Sequence, residues 1–191
     1  MSLRGRTRSA PVIALPIETP RLLLRDFRKS DLEAVHAYSA REDVARYLVW
    51  GPNTLAQSKD AIEGFLDDQR ARPRLIFDVA VTLKPEREVI GGAGLRVIDR
   101  DNLTGEIGYT LHPDFWGYGL ATEASRALLD AGFNELGLQR IVAVCDQRNK
   151  ASARVMERLG MRREGAFRGS KLIQDGWRDE YLYAILAQDF R

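Results

Sequence analysis

The chain has 191 residues, 45% hydrophobic and 29% charged, the composition of an ordinary soluble globular protein with length for one domain and a sizeable core. A formal net charge of +2, thinly dispersed, argues against a nucleic-acid reader, which would show a basic face or interleaved aromatics. No stretch approaches the ~20 apolar residues of a membrane span, and the single cysteine, Cys145, permits no intramolecular disulfide and suits a reducing, cytoplasmic setting.

The opening "MSLRGRTRSAPVIALPIETP" is arginine-rich, and its only apolar run, Val12 to Leu15, is too short for a signal sequence. Residues 1–17 are therefore expected to be a flexible basic arm, frayed rather than binding, ahead of one domain over 18–191. "RLLLRDF" (21–27) reads as a first strand. "SDLEAVHAYSA" follows, with Ser30 and Glu33 spaced as a capping box for a helix. A second helix starts near Thr54, runs through "AIEGFLDDQR" and ends before Pro73, with Gly64 as a weak point. Three strands come next, at 75–81, 88–98 and 104–111, the last two joined by the turn residues "RDN" at 100–102.

Beyond the loop 112–118, a helix over 119–133 sets Leu120, Ala124, Ala127, Leu128 and Ala131 on one side. "RIVAVCD" (140–146) has the length and apolarity of a buried strand. "KASARVMERLG" (150–160) is a helix closed by Gly160. "MRREGAFRG" and "WRDEYLYAIL" (177–186) make a last pair of strands. The order β-α-α-β-β-β-α-β-α-β-β predicts an α/β layered domain whose mixed, mostly antiparallel sheet contains one βαβ crossover.

That crossover holds the most informative stretch, "HPDFWGYGLATEA" (112–124). Gly117 and Gly119 stand where a strand passes into a helix, and such a joint exposes backbone N–H groups at the positive end of a helix dipole. It suits a phosphate or pyrophosphate; equally, it is a tight turn that needs positive φ at either glycine. No GxxxxGK[ST] phosphate loop occurs anywhere in the chain. Gly117, Gly119 and Thr122 spell only GxGxxT, and one βαβ unit falls short of the two halves of a dinucleotide fold.

"WGYGLATEA" resembles the acyl-CoA pyrophosphate loop of the GNAT superfamily of acetyl-CoA-dependent N-acetyltransferases, whose pattern is roughly [QR]xxGxG/A. "ETPRLLLRDFRKSDLEAV" is similar to that family's opening, "NKASARVMERLGMRREG" to its late NxxSxxxxExLGF/M segment, and "DGWRDEYLYAIL" to its closing strand. The likeness spans most of the chain and leans toward the branch of ribosomal-protein N-terminal acetyltransferases, RimJ/RimL-like. It departs at Asp114, where many members carry Gln or Arg, so backbone donors over 115–121 must suffice for the phosphates.

The resemblance implies a fold, acetyl-CoA as co-substrate with no metal, and direct transfer to an amine. The amine would be a protein N-terminus, or alternatively a small-molecule amine such as a polyamine, antibiotic or amino acid. A non-catalytic acyl-CoA-binding module and a dinucleotide-binding enzyme remain as readings of other classes. No nucleic-acid or membrane partner is implied, and the chain would be a monomer or homodimer.

Acetyl transfer needs an amine that has lost a proton, a donor for the oxyanion and a stabilised thiolate. Glu106, heading the strand that leads into the loop, resembles the family's base-position glutamate; a solvated surface carboxylate is the alternative. The acyl-CoA site would comprise Tyr109, Thr110 and Leu111, pairing through backbone with the pantetheine arm, then Trp116, Gly117, Tyr118, Gly119, Leu120, Ala121 and Thr122. Asn149 would hold the CoA arm, or simply cap its helix. Ser152 matches a position where relatives carry a serine near the thioester sulfur, while Met156 stands where other members have a tyrosine acid. Arg148 and Lys150 would meet phosphates or solvent. On the acceptor side Tyr47 and Trp50, in "RYLVWGPNT" (46–54), would wall the pocket or pack the early helices. Cys145 reads as a small hydrophobe rather than a nucleophile beside His112, and the isolated pair Glu33 and His36 lacks the clustered spacing of a metal site.

Overall fold

The computed structural model describes residues 12–85, 88–173 and 176–191. Its strands are β1 (Ile17–Glu18), β2 (Leu22–Asp26), β3 (Ile76–Leu83), β4 (Glu88–Asp99), β5 (Thr104–Leu111), β6 (Arg140–Asp146), β7 (Arg162–Ile173) and β8 (Gly176–Leu186). The helices are α1 (Leu32–Ser39), α2 (Glu42–Ala45), α3 (Leu55–Arg70), α4 (Leu120–Asn134) and α5 (Lys150–Arg158). Every expected element is present. Among the described strands and α-helices the sequence pattern missed β1 and α2, whose two and four residues are too few to show a period.

The strands form one sheet in the order β1-β2-β3-β4-β5-β6-β8-β7. All neighbours are antiparallel except β5 and β6, which α4 connects as the single crossover. One parallel pair in a largely antiparallel sheet is not a doubly wound nucleotide fold, so the dinucleotide reading falls.

Register sorts the two faces. Phe77, Leu95 and Ile107 lie side by side on β3, β4 and β5, as do Val79, Ala93 and Tyr109. With Leu128 and Leu129 of α4 they belong to the main core, where each large side chain contributes roughly 1.5–3 kcal/mol by leaving water. On the opposite face Ala80 meets Phe27, Val35, Tyr38 and Ile62 in a smaller core beneath α1 and α3.

Local signals held in part. Thr54 caps α3 as a full capping box, its Oγ1 accepting from Gln57 N while Gln57 Oε1 accepts from Thr54 N. The Ser30–Glu33 box does not form: residues 29–31 make a 3₁₀ turn and α1 starts at Leu32. Asp31 takes over, because Arg25 on β2 donates to both its oxygens at 2.7 and 2.9 Å and Arg28 N donates to it at 2.8 Å. Of the basic arm, residues 1–11 lie outside the described residues. Ile13 is buried, Leu15 and Ile17 pack on the core, and Ala14 N donates to Glu135, so residues 13–17 belong to the packed domain.

Candidate active site

Strands β5 and β6 pair only over Thr104–Glu106 against Arg140–Val142, then part. Beyond Glu106, residues Gly108–Leu111 have β4 on one side and, among the described residues, no strand on the other. Such a parting leaves backbone groups open for an added, strand-like ligand. At its far end Trp116 Nε1 donates to Leu111 O at 2.8 Å, folding the indole back against the strand.

The loop then delivers α4. Gly117 and Gly119 have φ of +83° and +78°, and Gly119 is the residue that caps the helix. An L side chain is strained there, and a Cβ on Gly117 would meet nothing within 4 Å. The turn needs these glycines, and it leaves open space at a helix N-terminus. In the first turns of α4, Thr122 Oγ1 and Ser125 Oγ are buried without a hydrogen-bond partner among the described residues. Arg21, at the edge of β2, braces the loop by donating to Tyr118 O at 2.9 Å and to Glu123 at 2.7 Å. Burial alone would raise the Glu123 pKa, but hydrogen bonds from Thr19 and Arg21 outweigh it and hold the carboxyl below its usual range.

Across the parting, Tyr109 OH lies 2.9 Å from Ser152 Oγ and donates to Ser152 O at 3.0 Å. Burial pushes the phenol's pKa well up, with the Ser152 hydrogen bond only partly offsetting it, so Tyr109 stays protonated at neutral pH. Ser152 N in turn donates to Asn149 Oδ1 at 3.0 Å, which makes Asn149 the cap of α5.

Under α1 and α3 the same strands floor a cavity of about 680 Å³. Its floor is nearly bare, because Gly92, Gly94 and Gly108 fall on one face, in rows with Ala80, Asp78 and Thr110. Phe27, Val35, Tyr38 and Phe65 roof it, and Val49 to Gly51 close one end. Glu106 and Asp78 both line this space, and neither carboxylate accepts a hydrogen bond from a described residue. Asp78 leans across β4: a Cβ on Gly94 would sit 2.1 Å from its Oδ1. Its nearest cation is Arg96, at 3.9 Å, and burial holds its pKa above the usual range.

The segment closing the cavity is itself tied down. Arg178 Nη1 on β8 donates to Tyr47 O, and the same guanidinium pairs with Glu180; both side chains are more than nine-tenths buried. Glu180 also accepts from Ser170.

The parted parallel strand pair, the glycine-turned helix N-terminus and the cavity are all reached from β5, and a family model for the acetyltransferase (GNAT) domain matches residues 21–162. This chain belongs to the GNAT acetyltransferases. The N-acetyltransferase YnaD of Bacillus subtilis (strain 168), itself uncharacterised, is 36% identical over 176 residues, 91% of this chain and 98% of that one. A GNAT-family acetyltransferase from Bacillus anthracis superposes with a TM-score of 0.81 at 35% identity, covering 91% and 99% of the two chains. The ribosomal-protein-S5-alanine acetyltransferase of Vibrio fischeri shares the fold, with a TM-score of 0.77 at 24% identity and coverage of 93% and 100%. This chain is thus an N-acetyltransferase of the mixed α/β GNAT fold. Among the described residues no cluster is placed to hold a metal, and no helix is long and apolar enough to cross a membrane.

In this GNAT frame the sequence-expected residues divide. Glu106, Tyr109, Thr110 and Trp50 meet at the cavity. Tyr47 does not line it: its ring lies between the guanidinium groups of Arg46 and Arg148, at 5.4 and 5.7 Å, and its carbonyl serves Arg178. Leu111 and Leu120 are buried in the main core, so only their backbone faces the loop, whereas Trp116 and Tyr118 are exposed. Arg148 is ion-paired with Asp146 and Lys150 lies over the Tyr181 ring, which favours structural roles for both. Met156 is a core residue. Cys145 is buried, and burial with the nearby Asp146 and Glu180 pushes its thiol up to about 11, in keeping with a packing role. Asp78, Arg21, Arg178 and the hydroxyl of Tyr109 were not foreseen. The one signal available was glycine at alternate positions 92 and 94, which empties a sheet face.

Proposed function

We propose that this GNAT chain transfers acetyl from acetyl-CoA directly to a primary amine held between the sheet and α1–α3. The observation that carries the proposal is the parting of β5 from β6 immediately after Glu106, beside a cavity that Glu106 lines. The loop 115–121 and the start of α4 would take the diphosphate on backbone N–H groups, and the open side of Tyr109–Leu111 the pantetheine arm.

Amines bind protonated at neutral pH, with pKa values of roughly 8 for an α-amine and 10.4 for a lysine. Glu106 accepts that proton, directly or through water. The freed nitrogen attacks the thioester carbon, its lone pair forming the N–C bond, while a backbone N–H near Leu111 stabilises the oxyanion. The C–S bond then breaks with its electrons on sulfur, and the second proton of the attacking nitrogen passes to that thiolate. Ser152 turns its hydroxyl proton from Tyr109 to that thiolate, while Tyr109, donating to Ser152 O, keeps the start of α5 in place.

The acceptor class implied by the RimJ/RimL-like resemblance is a protein N-terminal α-amine, and the Vibrio fischeri protein is by name an acetyltransferase for an alanine of a ribosomal protein. A small-molecule amine is the second reading, favoured by one observation: the cavity carries a second, half-buried carboxylate, Asp78, with only a long ion pair to Arg96.

The deciding experiment is thiol release across Ala-, Ser- and Met-starting peptides, a lysine peptide, a polyamine and an aminoglycoside, with products identified by mass. Release with one class names the acceptor. Glu106→Gln is expected to lower kcat/KM by about 10²-fold and flatten the pH–rate profile; an unchanged profile removes Glu106 from the base role.

A further inference from the structure

A second carboxylate in the acceptor cavity calls for a second charge on the acceptor. Asp78 stands on β3 and leans over Gly94 on β4, so its oxygens lie above the strand next to β5. The contact works only because position 94 lacks a side chain: any Cβ would fall 2.1 Å from Asp78 Oδ1. Gly108, the next residue in that row, leaves open space where its Cβ would be.

The carboxylate is 15% exposed and accepts no hydrogen bond from a described residue; Arg96, 58% exposed, lines the same cavity opposite Glu106 and forms only a long ion pair with Asp78, at 3.9 Å. Leaving a largely shielded charge with so long an ion pair is unfavourable unless a ligand completes it. Asp68, Arg74 and the Tyr38 hydroxyl are also within its electrostatic reach, while the cavity roof carries the apolar side chains of Phe27, Val35 and Phe65. Those surfaces suit methylene groups, and the carboxylate suits an ammonium at the end of them.

Glu106 lies diagonally from Gly94, one strand across and two residues along. Sheet spacing puts those backbone positions ~8 Å apart, the reach of a chain of about four to six carbons.

We propose that the cavity selects an acceptor with a second positive charge, an alkyl diamine or longer polyamine, whose distal ammonium is held by Asp78 above Gly94 while Glu106 faces the amine that is acetylated. This rests on the acetyltransferase reading and on its small-molecule branch. Asp78 is then a specificity residue: it sets which amine binds, and takes no part in bond making.

The test compares 1,4-diaminobutane and 1,5-diaminopentane with butylamine and pentylamine, in wild type and in the near-isosteric Asp78→Asn. Thiol release gives kcat and KM; calorimetry with diaminobutane alone gives binding without turnover. Wild type should prefer each diamine over its monoamine by about 30-fold in kcat/KM, the order expected of a charge-assisted hydrogen bond. Asp78→Asn should reduce that ratio to about 1, through KM rather than kcat, and abolish the calorimetric signal. Absence of diamine preference in wild type, or a ratio that survives Asp78→Asn, overturns the proposal. If wild type binds acetyl-CoA yet releases thiol with no amine, the acetyl-transfer reading fails instead. Calorimetry still decides the cation site in that case: Asp78-dependent diamine binding supports it, and no binding refutes it.

Discussion

Gly91→Ala probes how closely β4 and β5 must approach at the mouth of the strand parting. Gly91 pairs with Leu111, the last residue of β5. A Cβ there would lie 2.2 Å from Thr110 O, 2.7 Å from Leu111 Cα and 2.7 Å from Leu111 Cδ2. Two of these three atoms are backbone, so no change of rotamer relieves the contact and β4 must lift from β5. Overpacking costs about 1–3 kcal/mol, and a backbone collision belongs at the upper end. At this chain length about 3 kcal/mol lowers Tm by roughly 6–12 °C.

Gly132→Ala on α4 is the control. Its Cβ would fall 2.8 Å from Ile141 Cδ1 and 2.9 Å from Leu95 Cδ2, which are flexible side-chain ends, and alanine gains about 1 kcal/mol of helix propensity. Its Tm should stay within about 4 °C of wild type. Calorimetric melting of the two variants, with KM for acetyl-CoA measured alongside, is the assay. Gly91→Ala should also raise that KM, since the displaced strand borders the proposed pantetheine path. A Gly91→Ala protein melting within about 2 °C of wild type, or a larger loss in Gly132→Ala, refutes the distinction between backbone and side-chain collisions.

Three other expectations follow from the site. Ser152→Ala should lower kcat about tenfold while leaving the Kd for acetyl-CoA within about threefold, read by single-turnover kinetics; a loss confined to binding contradicts the thiolate role. Arg178→Ala strands the buried Glu180 carboxylate and releases Tyr47 O, so urea denaturation should show a loss of about 3–5 kcal/mol, whereas breaking an exposed pair such as Arg41–Asp43 should leave the midpoint unchanged. Asp78 gives a pH signature. Its native pKa is raised, chiefly by burial, so the folded state holds the proton to higher pH than the unfolded chain does. Wild-type stability therefore falls as pH rises from the ordinary carboxyl value through the raised one, then levels off. Asp78→Asn should raise Tm at pH 8, with the gain vanishing near pH 4; a gain independent of pH would refute this.

How much of the site was legible varies residue by residue. Glu106, Gly117, Gly119 and Ser152 sit in short local motifs, and a strand–loop–helix carries its chemistry in consecutive residues. Thr54 could be read for the same reason, because a capping box closes within one turn. Ser30 could not: Arg25 on a neighbouring strand recruits Asp31 instead, a choice made by packing. Tyr47 and Trp50 looked equivalent in sequence, yet only Trp50 lines the cavity, since Arg178 from the far end of the chain holds the Tyr47 backbone.

The sequence by itself determined the order of elements, the α/β class, the loop that turns into α4 and the family, because periodicity, turn residues and short motifs are local in the chain. Tertiary structure decided where β5 leaves β6, that Gly92, Gly94 and Gly108 empty one face together, and that Asp78 leans into the space so made. Those facts depend on register between strands, and side chains alternate with a period of two. A single bulge, such as the shifts at Val81/Thr82 and Val97/Asp99, exchanges one face for the other. Only the assembled sheet fixes which carboxylates share a cavity.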